Sequence, residues 1–212
     1  MMRVRFSIAL GLPLVIAACA STPPPANLLP PAGPCTAELD LSTAVMLAAP
    51  QGNRQRIEAY NFDVESPCYE APGSGVATPF YLARLPANDQ RRLMTVGAAF
   101  EAYRVFALHV SLLDEAGEVV RSFGTEDFNH VGPRYAIQVT PRDEYHYVLI
   151  TADPELVGKS VDRLTLGINS SYVSTGAGYG TTVQSGADSA GSHQFSYDGS
   201  VMIGLLNSGD TE

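Results

Sequence analysis

The stretch that decides the fold is RVFALHVSLLD, residues 104–114. Its apolar residues recur at every second position, which is the pattern of a half-buried β-strand. One face of this strand would carry Phe106, Leu108, Val110 and Leu112, and the other would carry His109 and Ser111. The turn residues DEAGE follow, and VVRSF at 119–123 returns. The sequence therefore predicts a β-hairpin over 104–123.

Further short strands are predicted on both sides of this hairpin. They lie at 76–85, 134–140, 144–151, 161–168 and 200–206. The strands at 134–140 and 144–151 are separated only by the turn PRDE, which favours a second hairpin. Many short strands with turn signals between them are typical of an all-β fold, here a single antiparallel β-sandwich domain over 35–208.

Two segments of this domain are less regular. Residues 89–103 fit either an amphipathic helix or a strand, and both interpretations stay open. Residues 153–158, DPELVG, are typical of one helical turn that ends at Gly158.

The amino terminus has the pattern of an export signal. Arg3 and Arg5 precede about 13 mostly apolar residues, too few to span a bilayer as a helix. The residues IAAC that end at Cys19 resemble the lipobox of bacterial lipoproteins, so residues 1–18 are predicted to be a lipoprotein signal peptide and Cys19 the lipidated residue. Since Ala20 follows, this resemblance implies the outer membrane, facing the periplasm. The alternative is an ordinary secretory signal cut after Ala18.

Residues 19–34 are rich in proline and carry no charge, which predicts an extended tether between the lipid and the domain. The whole chain has 13 basic and 22 acidic residues. Loss of Arg3 and Arg5 with the signal leaves 11 basic residues and a net charge of −11. Such an acidic protein repels nucleic acid, so its expected attachment to the membrane is through lipid.

The two other cysteines, Cys35 in GPCTAEL and Cys68 in SPCYEAP, form a matched pair in an exported chain. Because the bacterial periplasm is oxidising, they are predicted to form a disulfide.

The stretch 169–199 is rich in Gly, Ser and Thr and is predicted to be a flexible loop. Tyr172, Tyr179 and Tyr197 lie in it, and tyrosine rings with polar groups beside them could bind a glycan; plain disorder is the alternative. Tyrosines on the predicted strands are expected to serve packing. They are Tyr81, Tyr135, Tyr145 and Tyr147.

No catalytic constellation is evident, and neither an enzyme activity nor a cofactor is expected. GKS at 158–160 lacks the first glycine of a phosphate-binding loop, since Asp153 stands there. Two groups near turns contain metal-ligand residue types, although solvated turn charges explain them as well, and no metal site is predicted. They are Glu126, Asp127 and His130, and Asp143, Glu144 and His146. His109 is expected on the polar face of its strand and His193 in the loop.

Three segments together resemble the maltose operon periplasmic protein family (MalM-like). They are VATPFYLARLPAN at 76–88, VFALHVSLLDEAGEVVRSF at 105–123 and YHYVLITADPELVGKS at 145–160. The resemblance covers about residues 60–206 and implies a β-rich exported accessory of maltodextrin uptake, without catalytic residues. The expected function is thus that of a non-catalytic envelope lipoprotein for carbohydrate uptake or glycan binding. The alternative is a structural lipoprotein that docks on another envelope protein.

We expect the mature protein isolated from a bacterial envelope to begin at an acylated Cys19, and Cys19→Ser to abolish the acylation. Intact-mass measurement of both proteins tests this. An unmodified amino terminus at Cys19 or later would show that the signal is an ordinary secretory one.

Overall fold

The computed structural model describes residues 25–71, 75–87, 91–131, 133–165, 168–174, 180–186 and 189–208, and within 164–189 it describes only the backbone. These residues form sixteen β-strands and two short 3₁₀ helices, at Leu41–Thr43 and Thr125–Asp127. They include no helix long and apolar enough to cross a membrane. The predicted all-β fold is confirmed, whereas the signal peptide and Cys19 lie outside the described residues.

The strands, numbered in chain order, form two large sheets and two small ones. The six-stranded front sheet has the order β1 (Val45–Met46), β4 (Ala77–Arg84), β11 (Tyr147–Ala152), β7 (Leu108–Leu113), β8 (Val119–Phe123), with β3 (Cys68–Glu70) also on β4. The five-stranded back sheet has the order β2 (Arg56–Phe62), β16 (Gly199–Asn207), β5 (Arg92–Ala99), β10 (Arg134–Val139), β9 (Asn129–Val131). The small sheets are β12 (Ser160–Thr165), β15 (Ser189–Ser196), β6 (Arg104–Phe106), and the pair β13 (Ile168–Ser174), β14 (Gly180–Gly186).

The two large sheets pack face to face around one main core. The front sheet contributes Val110, Leu112, Val148 and Ile150, and the back sheet Met94, Val96, Val201 and Ile203. Burial of each such side chain stabilises the fold by about 1.5–3 kcal/mol. Strand pairing is antiparallel except for β1 with β4 and β15 with β6, which are parallel. The architecture is therefore the predicted β-sandwich.

The stretch RVFALHVSLLD at 104–114 and the strand that follows it fold largely as predicted. Strands β7 and β8 form the hairpin, with Val110 opposite Phe123. The hairpin is shorter than predicted, because Arg104–Phe106 separates as β6 and pairs with β15. The Phe106 ring is fully buried and stacks on Phe62 at 4.1 Å between ring centroids. The ambiguous segment 89–103 contains a strand, β5, at the centre of the back sheet.

The predicted second hairpin is wrong. Strand β10 belongs to the back sheet and β11 to the front sheet, so the chain between them crosses from one layer to the other. The crossing is fixed where the backbone N–H of His146 donates to the carbonyl of Leu113 at 2.8 Å. Ile137 of β10 and Ile150 of β11 are both buried in the core between the layers. If β10 and β11 paired in one sheet, Ile137 and Ile150 could not lie on opposite sides of this core.

The predicted flexible loop over 169–199 is also wrong for the described residues. Strands β13 and β14 pair with each other, and β15 pairs with β12 on one side and β6 on the other. The small Ser, Thr and Gly residues that suggested a loop are accommodated in these ladders, because backbone hydrogen bonds do not depend on side-chain size.

The segment before β1 covers part of the outer face of the front sheet. Leu39, Leu41 and Ala44 pack on a second apolar cluster. This cluster consists of the buried residues Leu82, Leu113, Tyr147 and Leu149. The Cys35–Cys68 disulfide holds the start of this segment, and beside it Thr36 donates its N–H to the carbonyl of Cys68 at 3.0 Å. The predicted disulfide is confirmed.

Removal of this disulfide should destabilise the domain by about 3–4 kcal/mol, because the open chain regains the entropy of a loop closed over a sequence separation of 33 residues. Urea unfolding with and without reductant measures the loss. The double variant Cys35→Ser, Cys68→Ser serves as the control, since its midpoint should match that of the reduced protein and ignore reductant. Equal midpoints for the oxidised and reduced wild type would contradict the prediction.

Candidate functional site

A groove of about 530 Å³ opens on the outer face of the front sheet, beside the apolar cluster that the amino-terminal segment covers. Its floor is formed by three adjacent strands, β4, β11 and β7, and its rim by the turn after β11. Thr78, His109, Ser111, Leu149 and Thr151 lie on the floor, and Tyr69, Val119, Asp153 and Glu155 are among the residues around it.

Strand register explains why the floor is polar at this end. Thr151 lies opposite His109, and Leu149 lies opposite Ser111, on the antiparallel pair β11 and β7. Opposed residues in such a pair share a face, and so do residues two apart on one strand. The alternate residues of β7, such as Val110, face the core instead. The polar residues of RVFALHVSLLD thus meet the hydroxyl of Thr151 on the outer face.

The turn after β11 places two carboxylates at the rim. The N–H of Asp153 donates to the carbonyl of Ala107 at 2.6 Å, and the carboxylate of Asp153 accepts from the N–H of Glu155 at 2.9 Å. The turn ends at Gly158, whose φ of +86° is in the left-handed region that favours glycine. The predicted helical turn over 153–158 is thus a non-helical turn that does end at Gly158, and its Asp153 and Glu155 line the groove.

His109 lies half-buried between these groups. Burial lowers the pKa of His109, and the negative charge of Asp153 opposes this shift. The imidazole Nε2 is 3.5 Å from the hydroxyl of Ser111, which is closer, at 3.1 Å, to the hydroxyl of Ser122. The arrangement offers hydroxyl groups and an imidazole as hydrogen-bonding partners beside Tyr69 and Leu149.

The tyrosines proposed from sequence as a binding set do not form one in the described structure. Tyr197 is only 6% exposed and belongs to the main core, so it cannot act as a surface platform. Its position just before β16 turns the ring inwards, a direction that a loop assignment could not anticipate. Tyr179 lies outside the described residues, and only the backbone of Tyr172, in β13, is described. The strand tyrosines Tyr81, Tyr135, Tyr145 and Tyr147 are buried, as predicted.

His193 also lies elsewhere than predicted. It is on β15, is 8% exposed, and packs on Phe100 at 4.9 Å between ring centroids. Burial lowers the pKa of His193, and the positive charge of Arg163 lowers it further. His130, from one of the two groups of metal-ligand residue types, stacks on the same Phe100 ring at 5.3 Å. Within the described residues, no three His, Cys, Asp or Glu side chains come together as a metal site.

Sequence reasoning identified His109 and Ser111 as a polar strand face but missed the groove. The pattern on one strand could not show that Thr78 and Thr151 would lie alongside. No protein-family model matches the chain, and no similar protein was found among curated proteins or solved structures.

The lowered pKa values of His109 and His193 predict a pH-dependent stability. In the folded state both imidazoles bind protons less readily than in the unfolded state, where the usual pKa is about 6.5. The stability is therefore complete above that pH, and acidification from about pH 7 to about pH 5 should lower the melting temperature by a few degrees.

Thermal melting of the wild type and of His109→Gln and His193→Gln across this range measures the effect. Each variant should reduce the slope, and the double variant should nearly remove it. An undiminished slope in the double variant would assign the effect to other groups.

Proposed function

We propose that the protein is a non-catalytic, lipid-anchored accessory of carbohydrate uptake in the bacterial envelope, whose domain binds glycan in the groove on the front sheet. The observation that carries the proposal is the composition of the groove. Its floor combines the hydroxyls of Thr78, Ser111 and Thr151 with the apolar surface of Leu149, and Tyr69 stands beside them. Sugars need both, since their hydroxyls form hydrogen bonds and their C–H faces are apolar.

The size of the groove supports the same proposal. Ligand sites are usually clefts of about 300–1,000 Å³ with a few placed polar groups, and this groove is about 530 Å³. The resemblance of three chain segments to the MalM-like family adds the expectation that the glycan is a maltodextrin. The amino-terminal IAAC motif supports the lipid anchor.

A maltodextrin that binds the groove should raise the melting temperature of the domain in a dose-dependent way. At about 100 times its dissociation constant, the added stability is about 2.7 kcal/mol. Thr151→Val keeps the side-chain shape but removes one hydroxyl from the floor, so binding should weaken about 3- to 10-fold. Thermal melting with maltose, longer maltodextrins and unrelated glycans measures the rise in melting temperature. Calorimetric titration with the same glycans measures the dissociation constants of the wild type and of Thr151→Val.

The matched control is Thr140→Val, the same change at an exposed position just after β10, away from the groove. It should bind like the wild type. Equal weakening by both variants, or no binding of any glycan at millimolar concentration, would contradict a glycan site in the groove.

The second candidate function is docking on another envelope protein, and the edge of the back sheet favours it. Strand β2 pairs with β16 on one side and with no other strand among the described residues. Most of its side chains are exposed, including Ile57. An unpaired edge can accept a strand from a partner. Photocrosslinking from position 57 in the intact envelope tests this, and a single specific adduct is the expected result.

A further inference from the structure

The end of the sandwich where the chain enters the domain carries its most exposed apolar side chains. Among the described residues with large apolar side chains, Val64 at 80% and Leu29 at 75% exposed are the most accessible. Both line one cavity of about 290 Å³, together with Pro30, Pro31 and Pro79. Exposed apolar groups gathered at one place usually mark a contact surface rather than ordinary scatter.

This end is fixed to the incoming chain by several hydrogen bonds. The N–H of Asn27 donates to the Ser196 hydroxyl at 2.8 Å and to the Asp198 carboxylate at 3.1 Å. The N–H of Tyr197 donates to the carbonyl of Asn27 at 2.9 Å. The predicted tether over 19–34 is thus too long, because the domain already holds the chain at Asn27.

Ion pairs reinforce the attachment of the chain near Asn27. The Arg104 guanidinium pairs with Asp198 and, at 2.7 Å, with Glu101. It also donates to the carbonyl of Pro25 at 3.4 Å. Burial acts to raise the pKa of Glu101, but hydrogen bonds from Arg104 and Ser200 outweigh it and lower the pKa below its usual value.

The number of residues left for a tether is small. Cys19 and Asn27 are eight residues apart, a span of at most about 28 Å when fully extended. A lipid on Cys19 therefore keeps the Asn27 end close to the bilayer surface. Resting on the lipid anchor proposed above, we infer that this end docks on the membrane, with Leu29 and Val64 in contact with the lipid interface.

The charges at this surface define the lipid that fits it. Asp63 lines the same cavity and Glu65 follows Val64, whereas the one basic side chain described above, Arg104, is already paired. An anionic leaflet would repel these carboxylates, and a zwitterionic headgroup with its ammonium would not. The docking is thus apolar in origin and favours zwitterionic phospholipids over anionic ones.

The absence of tryptophan from the chain allows a direct test. Single variants Leu29→Trp and Val64→Trp place a fluorophore at the proposed contact. Met46→Trp is the matched control, because Met46 is also exposed but lies opposite Arg84 at the other end of the front sheet. Arg84 is five residues, or about 17 Å, along β4 from Pro79, which lines the cavity at the docking end.

Each acylated protein is bound to vesicles of phosphatidylcholine with or without brominated chains. Brominated lipid should lower the emission of L29W and V64W about twofold, as for groups buried in the headgroup and acyl boundary, and leave M46W nearly unchanged. Replacing half of the lipid by phosphatidylglycerol should reduce this quenching. Circular dichroism and melting of each variant confirm that it is folded.

Flotation with the vesicles and intact mass separate the two proposals. Acylated protein that floats but shows no more quenching at positions 29 and 64 than at position 46 would overturn membrane docking and leave the lipid anchor standing. The apolar end would then be assigned to a protein partner. A wild-type protein without acyl groups that fails to float would overturn the lipid anchor, and docking with it.

Discussion

The apolar inner faces of the front and back sheets can leave water only by packing against each other, and most other features follow from this constraint. Val110 and Ile150 from one sheet share a core with Val96 and Ile203 from the other. The fit at the centre of the back sheet is close: a Cβ on Gly97 would lie 2.6 Å from the Cβ of Ala136. With the inner faces committed to the core, the outer faces remain available for binding and for the amino-terminal segment.

The sequence predicted the features that depend on neighbouring residues. The alternation around Val110 indicates which face is buried, and the presence of just two cysteines in the predicted domain favoured their pairing. The partner of a strand depends on distant residues instead. The turn PRDE between β10 and β11 fits a hairpin locally, but burial of Ile137 and Ile150 from opposite sides of the core favours a crossing between layers. Tyr197 illustrates the same limit, because its burial is decided by β16 and the strands around it.

The candidate site was predictable only in part for the same reason. His109 and Ser111 lie on one strand, so their shared face is visible in the sequence. Thr151 joins them through the register of β11 on β7, which local pattern does not reveal. Asp153 reaches the rim because its N–H is held by the carbonyl of Ala107, between β6 and β7. The groove is thus a product of pairing between segments about forty residues apart, and each segment alone has an ordinary strand pattern.

Hydrogen bonds, a disulfide and apolar contacts hold the amino-terminal segment to the domain, one after another along the chain. Their order determines which of them a force on the amino terminus would break first. A pull from the proposed lipid on Cys19 would reach the hydrogen bonds of Pro25 and Asn27 first and the Cys35–Cys68 disulfide second. The apolar contacts of Leu39 and Leu41 lie beyond both. Hydrogen bonds separate reversibly, whereas the disulfide is covalent, so release of Asn27 would lengthen the tether without exposing the second apolar cluster. Leu149 belongs to that cluster and Tyr69 packs on it, and both line the groove, so contacts that keep the cluster covered also hold this side of the proposed binding site in place.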